Sequence, residues 1–263
     1  MKGYVYYSEA ESKRNHAFID DLIIESEKIG IELLLLVDDE KPHSDADFIL
    51  FRDRNTKRAD QFEMEGLTLF NRAEVNRIAN DKLQTFELAT LLGVSTVPTH
   101  RIRSIDELVS YPCVLKTVDG HGGNEVFLCT SATQAESFFS KFHDRKLIVQ
   151  PFMESGARDV RVFMIGNEVV GAVKRTGNGS FKSNYTLGGS VEKYILSNWQ
   201  EKDVKTISKA IKSDYVGIDF LLLPDGRWLL NEIEDPVGAR SLYTTHDFSV
   251  AVKLMHYIKN KLS

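Results

Sequence analysis

Residues 217–236, GIDFLLLPDGRWLLNEIEDP, have the pattern of two apolar strands joined by a tight turn. Asp225-Gly226 is a strong signal for a two-residue hairpin turn. With that pair at the tip, counting outward places Asp219 directly opposite Glu232. The sequence therefore predicts an antiparallel hairpin in which two carboxylates face each other.

A third acid joins this face, because Glu234 follows Glu232 by two residues and side chains alternate along a strand. Directly opposed like charges destabilise a sheet. The cluster must therefore either raise the pKa of a carboxyl group, so that it stays protonated, or bind a cation. Ligands that are all oxygen favour a hard ion, Mg²⁺ or Mn²⁺, which commonly arrives with phosphates attached. Asp219, Glu232 and Glu234 are therefore candidate metal ligands; the alternative is a solvated acidic rim.

A glycine cluster at residues 120–123, GHGG, follows a predicted strand that carries Lys116 near its end. Glycine N–H groups can approach an anion without obstruction by a Cβ, and a lysine adds a positive charge. Lys82, in the first turn of a predicted helix, opposes the helix dipole unless an anion is bound nearby. The cluster predicts phosphate binding, and the alternative is a flexible hairpin tip in which His121 is simply exposed.

A second hairpin is predicted with Gly166-Asn167 at its tip, a pair suited to a type II′ turn. This register places Asp159 and Arg161 on one face and Lys174 opposite Asp159. Taken alone, the pattern favours a structural cross-strand ion pair.

Composition excludes several classes of protein. The chain has 263 residues, with 33 Lys+Arg against 38 Asp+Glu and a formal charge of −5, which is ordinary for a globular protein and points to neither nucleic acid nor a membrane surface. Cys113 and Cys129 are far apart and lack metal-site spacing. The N-terminus MKGYVYYSEA has no apolar run typical of a signal peptide. We therefore expect a cytoplasmic protein with free thiols and no nucleic-acid or membrane partner.

Four ordered blocks resemble the ATP-grasp superfamily and, within it, the RimK-like carboxylate–amine ligases. They are NDKLQTFELATLLGVSTVPTH (80–100), PCVLKTVDGHGGNEVFL (112–128), LIVQPFMESGARDVRVFMIGNEVVGAVKRTGNGSFKSN (147–184), and GIDFLLL (217–223) with NEIEDP (231–236). The resemblance implies an α/β fold of the α+β grasp type. A small N-terminal α/β domain (1–78) would precede a central grasp lobe (79–152) and a C-terminal, metal-binding grasp lobe (153–263).

The resemblance also implies ATP as the nucleotide and Mg²⁺ or Mn²⁺ as the metal, with two ions held by the three acids. Residues implied to contact the nucleotide are Lys82, Lys116, Gly120, Gly122, Gly123, Gln150, Pro151, Phe152, Met153, Asp159, Lys182, Ser183 and Asn184. Residues 150–153 would be the hinge that reads adenine, and Asp159 would meet the ribose.

Two positions depart from the family pattern. Pro151 stands where an acidic residue usually begins the hinge, although its carbonyl can still accept from the adenine amine. Glu234 replaces a common Asn, and the usual proline-glycine that follows is rearranged within residues 235–238. This loop, with Arg240 just beyond it, is expected to touch the acceptor. Taken alone, Arg240 and Arg175 could each be a surface charge.

The resulting hypothesis is a ligase in which ATP converts a carboxylate to an acyl phosphate that an amine then attacks. Lys116, Arg161 and Arg175 would offset developing charge. The partners would be a carboxylate substrate and an amine acceptor, either an amino acid or a peptide or protein terminus, with homo-oligomerisation possible. The alternatives are an ATP-grasp kinase, which would leave a stable phosphate on its product, and a nucleotide-binding module without turnover.

Overall fold

The computed structural model describes residues 1–177 and 189–263, so the predictions for Lys182, Ser183 and Asn184 lie outside the described residues. The N-terminal unit, residues 1–79, is a parallel sheet in the order β2-β1-β3-β4 with helices against it. Its elements are β1 (Lys2–Tyr7), α1 (Glu9–Arg14), α2 (His16–Lys28), β2 (Glu32–Val37), β3 (Phe48–Phe51), α3 (Thr56–Met64), β4 (Leu69–Phe70) and α4 (Ala73–Ala79). β3 is buried on both faces, as its continuous apolar run FILF predicts.

The central unit, residues 80–152, contains an antiparallel sheet in the order β5-β8-β6-β7. Its elements are α5 (Lys82–Leu91), β5 (His100–Ile102), a 3₁₀ turn (Ile105–Glu107), β6 (Cys113–Thr117), β7 (Val126–Cys129), α6 (Ala132–Lys141) and β8 (Leu147–Pro151). The Asp81 carboxylate accepts from Gln84 N at 3.0 Å and caps α5. The cap fixes Lys82 as the first helical residue, as the sequence predicts.

The C-terminal unit, residues 153–263, is built on an antiparallel sheet in the order β11-β10-β9-β12-β13. Its elements are β9 (Arg158–Ile165), β10 (Glu168–Thr176), β11 (Ser190–Lys193), α7 (Asn198–Ile211), β12 (Tyr215–Leu222), β13 (Trp228–Glu234), α8 (Arg240–Thr245) and α9 (Val250–Leu262). One apolar core runs through both ends of the chain, since Val5 and Leu22 share a buried cluster with Phe163 and Leu254.

The hairpin of β9 and β10 corrects the predicted partner of Asp159. Gly166-Asn167 does form the tip, and Gly166 has φ +54° while Asn167 is not among the positive-φ residues, as in a type II′ turn. The register then shifts between Val169 and Gly171, so Arg175 rather than Lys174 lies opposite Asp159. A β-bulge adds one residue to one strand, which moves every later side chain to the other face.

The hairpin of β12 and β13 also contains a bulge, and the predicted two-residue turn is wrong. Leu223 N donates to Arg227 O at 2.9 Å, which closes a three-residue loop whose last residue, Gly226, has φ +85°. Near the tip, the pairing of β12 with β13 is therefore shifted by one residue from the predicted pairing, as in Leu222 opposite Trp228. Asn231 is an extra residue in β13, and beyond it the predicted pairing returns. Asp219 consequently does lie opposite Glu232, as predicted.

No helix in the described parts of the chain is both long enough and apolar enough to cross a bilayer.

Candidate active site

The site is built on a row of directly paired positions across three strands of the C-terminal sheet. Glu232 on β13 lies opposite Asp219 on β12, and Asp219 lies opposite Arg161 on β9. Arg161 grips Asp219 with two hydrogen bonds, Nε to Oδ1 at 2.7 Å and Nη2 to Oδ2 at 2.6 Å. Gly217 makes room for this pair, because a Cβ there would lie 3.3 Å from Arg161 Cδ and 2.6 Å from Val237 Cγ2. The absence of a side chain at Gly217 is therefore part of the site.

Arg175 is the second arginine that binds Asp219, and it is buried rather than a surface charge. Its guanidinium donates to both oxygens of Asp159 at 2.6 Å and to Asp219 Oδ2 at 2.6 Å. Bidentate arginine–carboxylate pairs of this kind fix geometry as well as charge. The predicted ion pair at Asp159 therefore exists with a different partner, and the predicted contact of Asp159 with a ribose remains a prediction.

Asp219, Glu232 and Glu234 offer ligand atoms that all lie within 4.8 Å of one another. Burial alone would raise the pKa of Asp219, but Arg161 and Arg175 outweigh burial and hold that pKa below its ordinary value. Burial raises the pKa of Glu232, and the neighbouring Glu234 carboxylate raises it further. The predicted cluster of three acids therefore exists in the structure.

The cluster has the free oxygen atoms that a divalent ion needs. Glu232 accepts no hydrogen bond from a side chain within residues 1–177 and 189–263. From the described residues, Asp219 accepts three, out of about four lone-pair positions on a carboxylate. Glu234 accepts one hydrogen bond from the same part of the chain, from Arg161 Nη2 at 2.9 Å. These three carboxylates therefore fit an oxygen-liganded ion such as Mg²⁺ or Mn²⁺.

Lys116 on β6 faces this cluster from the central unit. Its Nζ donates to Asn231 Oδ1 at 3.1 Å, and Asn231 is the extra residue of the β13 bulge. Burial lowers the pKa of Lys116 to about 8, although Glu232 acts in the opposite direction. Sequence reasoning missed Asn231, because a bulge in the middle of a strand leaves no mark in an apolar pattern.

Lys82 lies beside the glycine loop, as predicted. Its Nζ donates to Gly120 O and its backbone N donates to Val118 O. Gly120 cannot carry a side chain without a clash, since a Cβ would collide with Thr117 Oγ1 and come within 2.7 Å of Glu125 Oε2. The contact between Lys82 and Gly120 holds the loop against the start of α5.

The central and C-terminal units enclose a small cavity, called here the central cavity. It has a volume of about 100 Å³. The predicted residues that line it are Lys82, Lys116, Gly120, Gly123, Gln150, Pro151, Phe152, Met153, Asp159 and Glu232. Binding pockets usually exceed about 300 Å³, so the central cavity in this conformation is smaller than a typical ligand site. The structure thus brings most of the predicted nucleotide residues together in a closed arrangement.

Apolar side chains that the sequence analysis did not single out cover the walls of the central cavity. They are Val97, Val114, Val126 and Leu221. Val114 on β6 pairs with Gln150 at the hinge. Lys116 lies two residues further along β6 and lines the same cavity as Glu232. The cavity is therefore apolar at its hinge end and charged at its other end.

The hinge is partly occupied by its own hydrogen bonds. Gln150 Nε2 donates to Thr99 Oγ1 at 2.9 Å, and Phe152 N donates to Pro112 O at 3.3 Å. The Phe152 N–H, at the hinge that the family resemblance implies, is therefore engaged in this conformation. Pro151 ends β8 and is exposed, where its missing N–H costs nothing.

A second and larger cavity of about 710 Å³, called here the outer cavity, separates the N-terminal unit from the C-terminal unit. Among the predicted residues, Gly122, Arg161, Arg175, Glu234 and Arg240 line it. Arg54, which sequence reasoning missed, reaches Glu234 from the N-terminal unit at 3.9 Å. The outer cavity thus reaches the carboxylate cluster at Glu234, whereas the central cavity reaches it at Glu232.

The rearranged loop at residues 235–238 is held by the N-terminal unit. Asp235 accepts from Asn71 Nδ2 at 2.9 Å and from Asn76 Nδ2 at 3.1 Å, and its carbonyl accepts from Asn80 Nδ2 at 2.8 Å. Arg52 Nη2 donates to Val237 O at 2.5 Å. These contacts fix the backbone that follows Glu234. Nothing in the local sequence pointed to them, because the partners are more than 150 residues apart.

The sheet order and the paired lysine and carboxylate faces define an ATP-grasp protein. The fold is similar to D-cycloserine synthetase DcsG, with a TM-score of 0.81, 16% identity and complete coverage of both chains. The family model described as a RimK-like ATP-grasp domain matches residues 81–258. The chain belongs to the RimK-like ATP-grasp family of carboxylate–amine ligases.

Two relatives are similar in sequence to this chain. A Pseudomonas fluorescens protein named "Probable alpha-L-glutamate ligase" is 30% identical over 210 residues, covering 76% of this chain and 69% of its own length. A Mycoplasma genitalium protein named "Uncharacterized protein MG011" is 29% identical over 245 residues, covering 90% of this chain and 85% of its own.

Proposed function

We propose that this protein is an ATP-dependent acid–amino acid ligase that forms an amide bond through an acyl phosphate and releases ADP and phosphate. The observation that carries the proposal is the approach of Lys116 to the carboxylate cluster, linked through Asn231 at 3.1 Å. Two charged faces from different units thereby close on one space, as transfer of a phosphoryl group requires. The proposal keeps the three predicted segments, 1–78, 79–152 and 153–263, as its domains.

The nucleotide part of the proposal rests on the polarity of the central cavity. Its apolar walls near Gln150 suit an adenine ring, with Pro151, Phe152 and Met153 around it. Its far end carries Lys82 and Lys116, which suit phosphates. The glycine loop would move away from Lys82 to admit ATP and then close over the phosphates.

The metal part rests on Asp219, Glu232 and Glu234. When bound there, Mg²⁺ would supply positive charge that neutralises the phosphate oxygens and favours attack of the carboxylate on phosphorus with ADP as the leaving group. The protein's own cations, Arg161 and Arg175, already neutralise Asp219, so they keep the cluster compact without a bound ion. Oxygens that remain free on Glu232 and Glu234 then receive the ion.

The substrates would enter through the outer cavity, which adjoins Glu234 and is large enough for an amino acid or a peptide end. Arg54 and Arg240 border it and suit a carboxylate group. The carboxylate substrate and the amine acceptor would therefore meet at the boundary between the two cavities. The name of the Pseudomonas fluorescens relative supports glutamate as the first compound to test.

Hydroxylamine provides the test, because it attacks acyl phosphates and converts them to hydroxamates, which form a coloured complex with added Fe³⁺. The protein is incubated with Mg²⁺, ATP, hydroxylamine and, one at a time, amino acids and acidic peptides. The expected result is ADP release and hydroxamate in equal amounts with at least one carboxylate. ADP release with a stable phosphorylated product, or no turnover dependent on any carboxylate, would contradict the proposal.

A further inference from the structure

His121 stands where three cavities meet. It borders the central cavity, the outer cavity, and a polar crevice of about 490 Å³ that runs between the N-terminal and central units. Of the described residues that line the three cavities, His121 is the one that all three share. Arg54 and Glu11 line two of them, the outer cavity and the crevice. An imidazole at this junction faces both the space proposed for phosphates and the space proposed for substrates.

The backbone of the glycine loop presents His121 in this position. Asn124 N donates to His121 O at 3.4 Å, and the two residues between them, Gly122 and Gly123, have φ of +64° and +75°. Positive φ at both central positions is the signature of a type I′ turn, which only glycine adopts without strain. The turn makes His121 the first residue of a tight corner, with its side chain exposed to the cavities.

The charges around His121 favour the neutral imidazole. Burial, Arg54 and Lys82 lower the pKa of His121 more than Glu125 and Glu234 raise it. The charges that act most strongly on the imidazole are those of Arg54, Lys82, Glu125 and Glu234. Further charged groups line the cavities that His121 borders: Glu11, Asp53, Arg77, Asp81 and Asp119 in the crevice, Lys116, Asp159 and Glu232 in the central cavity, and Arg14, Asp20, Asp21, Arg52, Arg161, Arg175 and Arg240 in the outer cavity. A neutral imidazole has a ring nitrogen free to accept a proton.

We propose that His121 is the general base that takes the proton from the attacking amine during amide formation. The amine nitrogen forms a bond to the acyl carbon, the bond from that carbon to the phosphate oxygen breaks, and phosphate leaves with the electron pair. The proton lost by the nitrogen passes to His121 and then to solvent through the outer cavity. This inference rests on the proposed function, because it needs the acyl phosphate.

A phosphate-binding role is the competing explanation, and the two roles act on different half-reactions. A residue that binds phosphate is needed to make the acyl phosphate, so its loss would slow hydroxamate formation. A base for the amine is needed only in the second half-reaction. Hydroxylamine is largely unprotonated at neutral pH and attacks without a base, so hydroxamate formation would continue.

The experiment compares the His121→Ala variant with the unaltered protein and with His143→Ala. His143 is an exposed histidine on the same unit, hydrogen-bonded only to Ser140 O at 3.2 Å among described residues. Three quantities are measured: hydroxamate formation with the carboxylate found above, amide formation with an amino acid acceptor, and rescue of amide formation by added imidazole. Melting temperature is recorded for all three proteins.

The expected result for His121→Ala is hydroxamate formation within about twofold of the unaltered protein, with amide formation lower by about 10²-fold. Added imidazole should restore part of the lost rate, and the rate should rise steadily with pH as the free amine becomes more abundant. His143→Ala should show none of these effects. Equal loss of hydroxamate and amide, unchanged amide formation, or absence of imidazole rescue would each overturn the assignment. A lack of hydroxamate in the unaltered protein would instead refute the proposed function.

Discussion

Arg175 Nη2 and Asp219 Oδ2 lie 2.6 Å apart, and this contact joins two strands that are not neighbours in the sheet. It exists because the bulge near Val170 turns Arg175, instead of Lys174, toward the site. The same guanidinium holds Asp159 by two hydrogen bonds. One irregularity in β10 thus determines which cation neutralises the buried carboxylates.

Replacement of Arg175 by methionine should strongly destabilise the fold. Asp159 and Asp219 would lose their shared partner while staying buried, and breaking a buried ion pair costs about 3 to 5 kcal/mol. The neighbouring Lys174→Met variant is the control, since Lys174 pairs with Glu192 at the surface. Its loss should cost less than about 1 kcal/mol. Urea unfolding measures both values, and equal costs would show that Arg175 is not part of a buried network.

Glu232→Gln should weaken metal binding without unfolding the protein. The amide is nearly the same size as the carboxylate and removes one negative charge from the cluster, so the Mg²⁺ concentration that gives half-maximal activity should rise about tenfold or more. Glu192→Gln changes an exposed acid of the same sheet and should have no such effect. Titration of activity with Mg²⁺ checks this expectation; overlapping curves for Glu232→Gln and the unaltered protein would remove Glu232 from the metal site.

Lys116 should make nucleotide binding depend on pH. Its pKa in the folded protein is about 8, below the ordinary value of 10.5, so between pH 8 and 10.5 the folded protein holds mostly the uncharged amine. The unfolded chain still binds the proton in this range, so the free energy of unfolding rises as pH increases from 8 to 10.5. Bound phosphates stabilise the ammonium, so ATP binding should take up nearly one proton at pH 9 and almost none at pH 7. Calorimetry in two buffers with different ionisation enthalpies measures this uptake. Lys116→Arg should abolish it, since arginine stays charged; persistent uptake in that variant would point to another group.

Gly122→Ala should impair activity more than stability. Gly122 has φ +64°, where an alanine costs about 1 kcal/mol, and the strain acts on the turn that presents His121. Gly66 has φ +87° and open space around it, so Gly66→Ala carries similar local strain far from the site. The two variants should have similar melting temperatures, while only Gly122→Ala should raise the KM for ATP. Similar KM values in both variants would indicate that the glycine turn has no role in nucleotide binding.

Much of the site could be predicted from the sequence because it depends on short-range pattern. The two-residue alternation along β13 placed Glu232 and Glu234 together, and the predicted start of α5 placed Lys82 in the first helical turn. These features need only local geometry and the resemblance to a family. The same local rules found the strands that carry Lys116 and Asp219.

The remainder could not be predicted, since it depends on bulges and on contacts across long stretches of chain. The predicted partner of Asp159, Lys174, was wrong by one residue because β10 contains a bulge that no residue in the sequence indicates. The opposition of Asp219 and Glu232 was correct only because the bulge at Asn231 cancels the displaced turn. The anchoring of Asp235 by Asn71 joins residues 164 positions apart. Tertiary packing decides such contacts.

The most direct test of the acyl-phosphate mechanism measures transfer of an oxygen atom from the carboxylate substrate to inorganic phosphate. A carboxylate substrate found by the hydroxamate screen is labelled with ¹⁸O in both carboxyl positions and incubated with ATP, Mg²⁺ and an amine acceptor. The account predicts one ¹⁸O in the inorganic phosphate and one in the amide, because the acyl phosphate breaks at the carbon–oxygen bond when the amine attacks. Unlabelled phosphate, with both labelled oxygens still on the former substrate, would contradict an acyl-phosphate ligase.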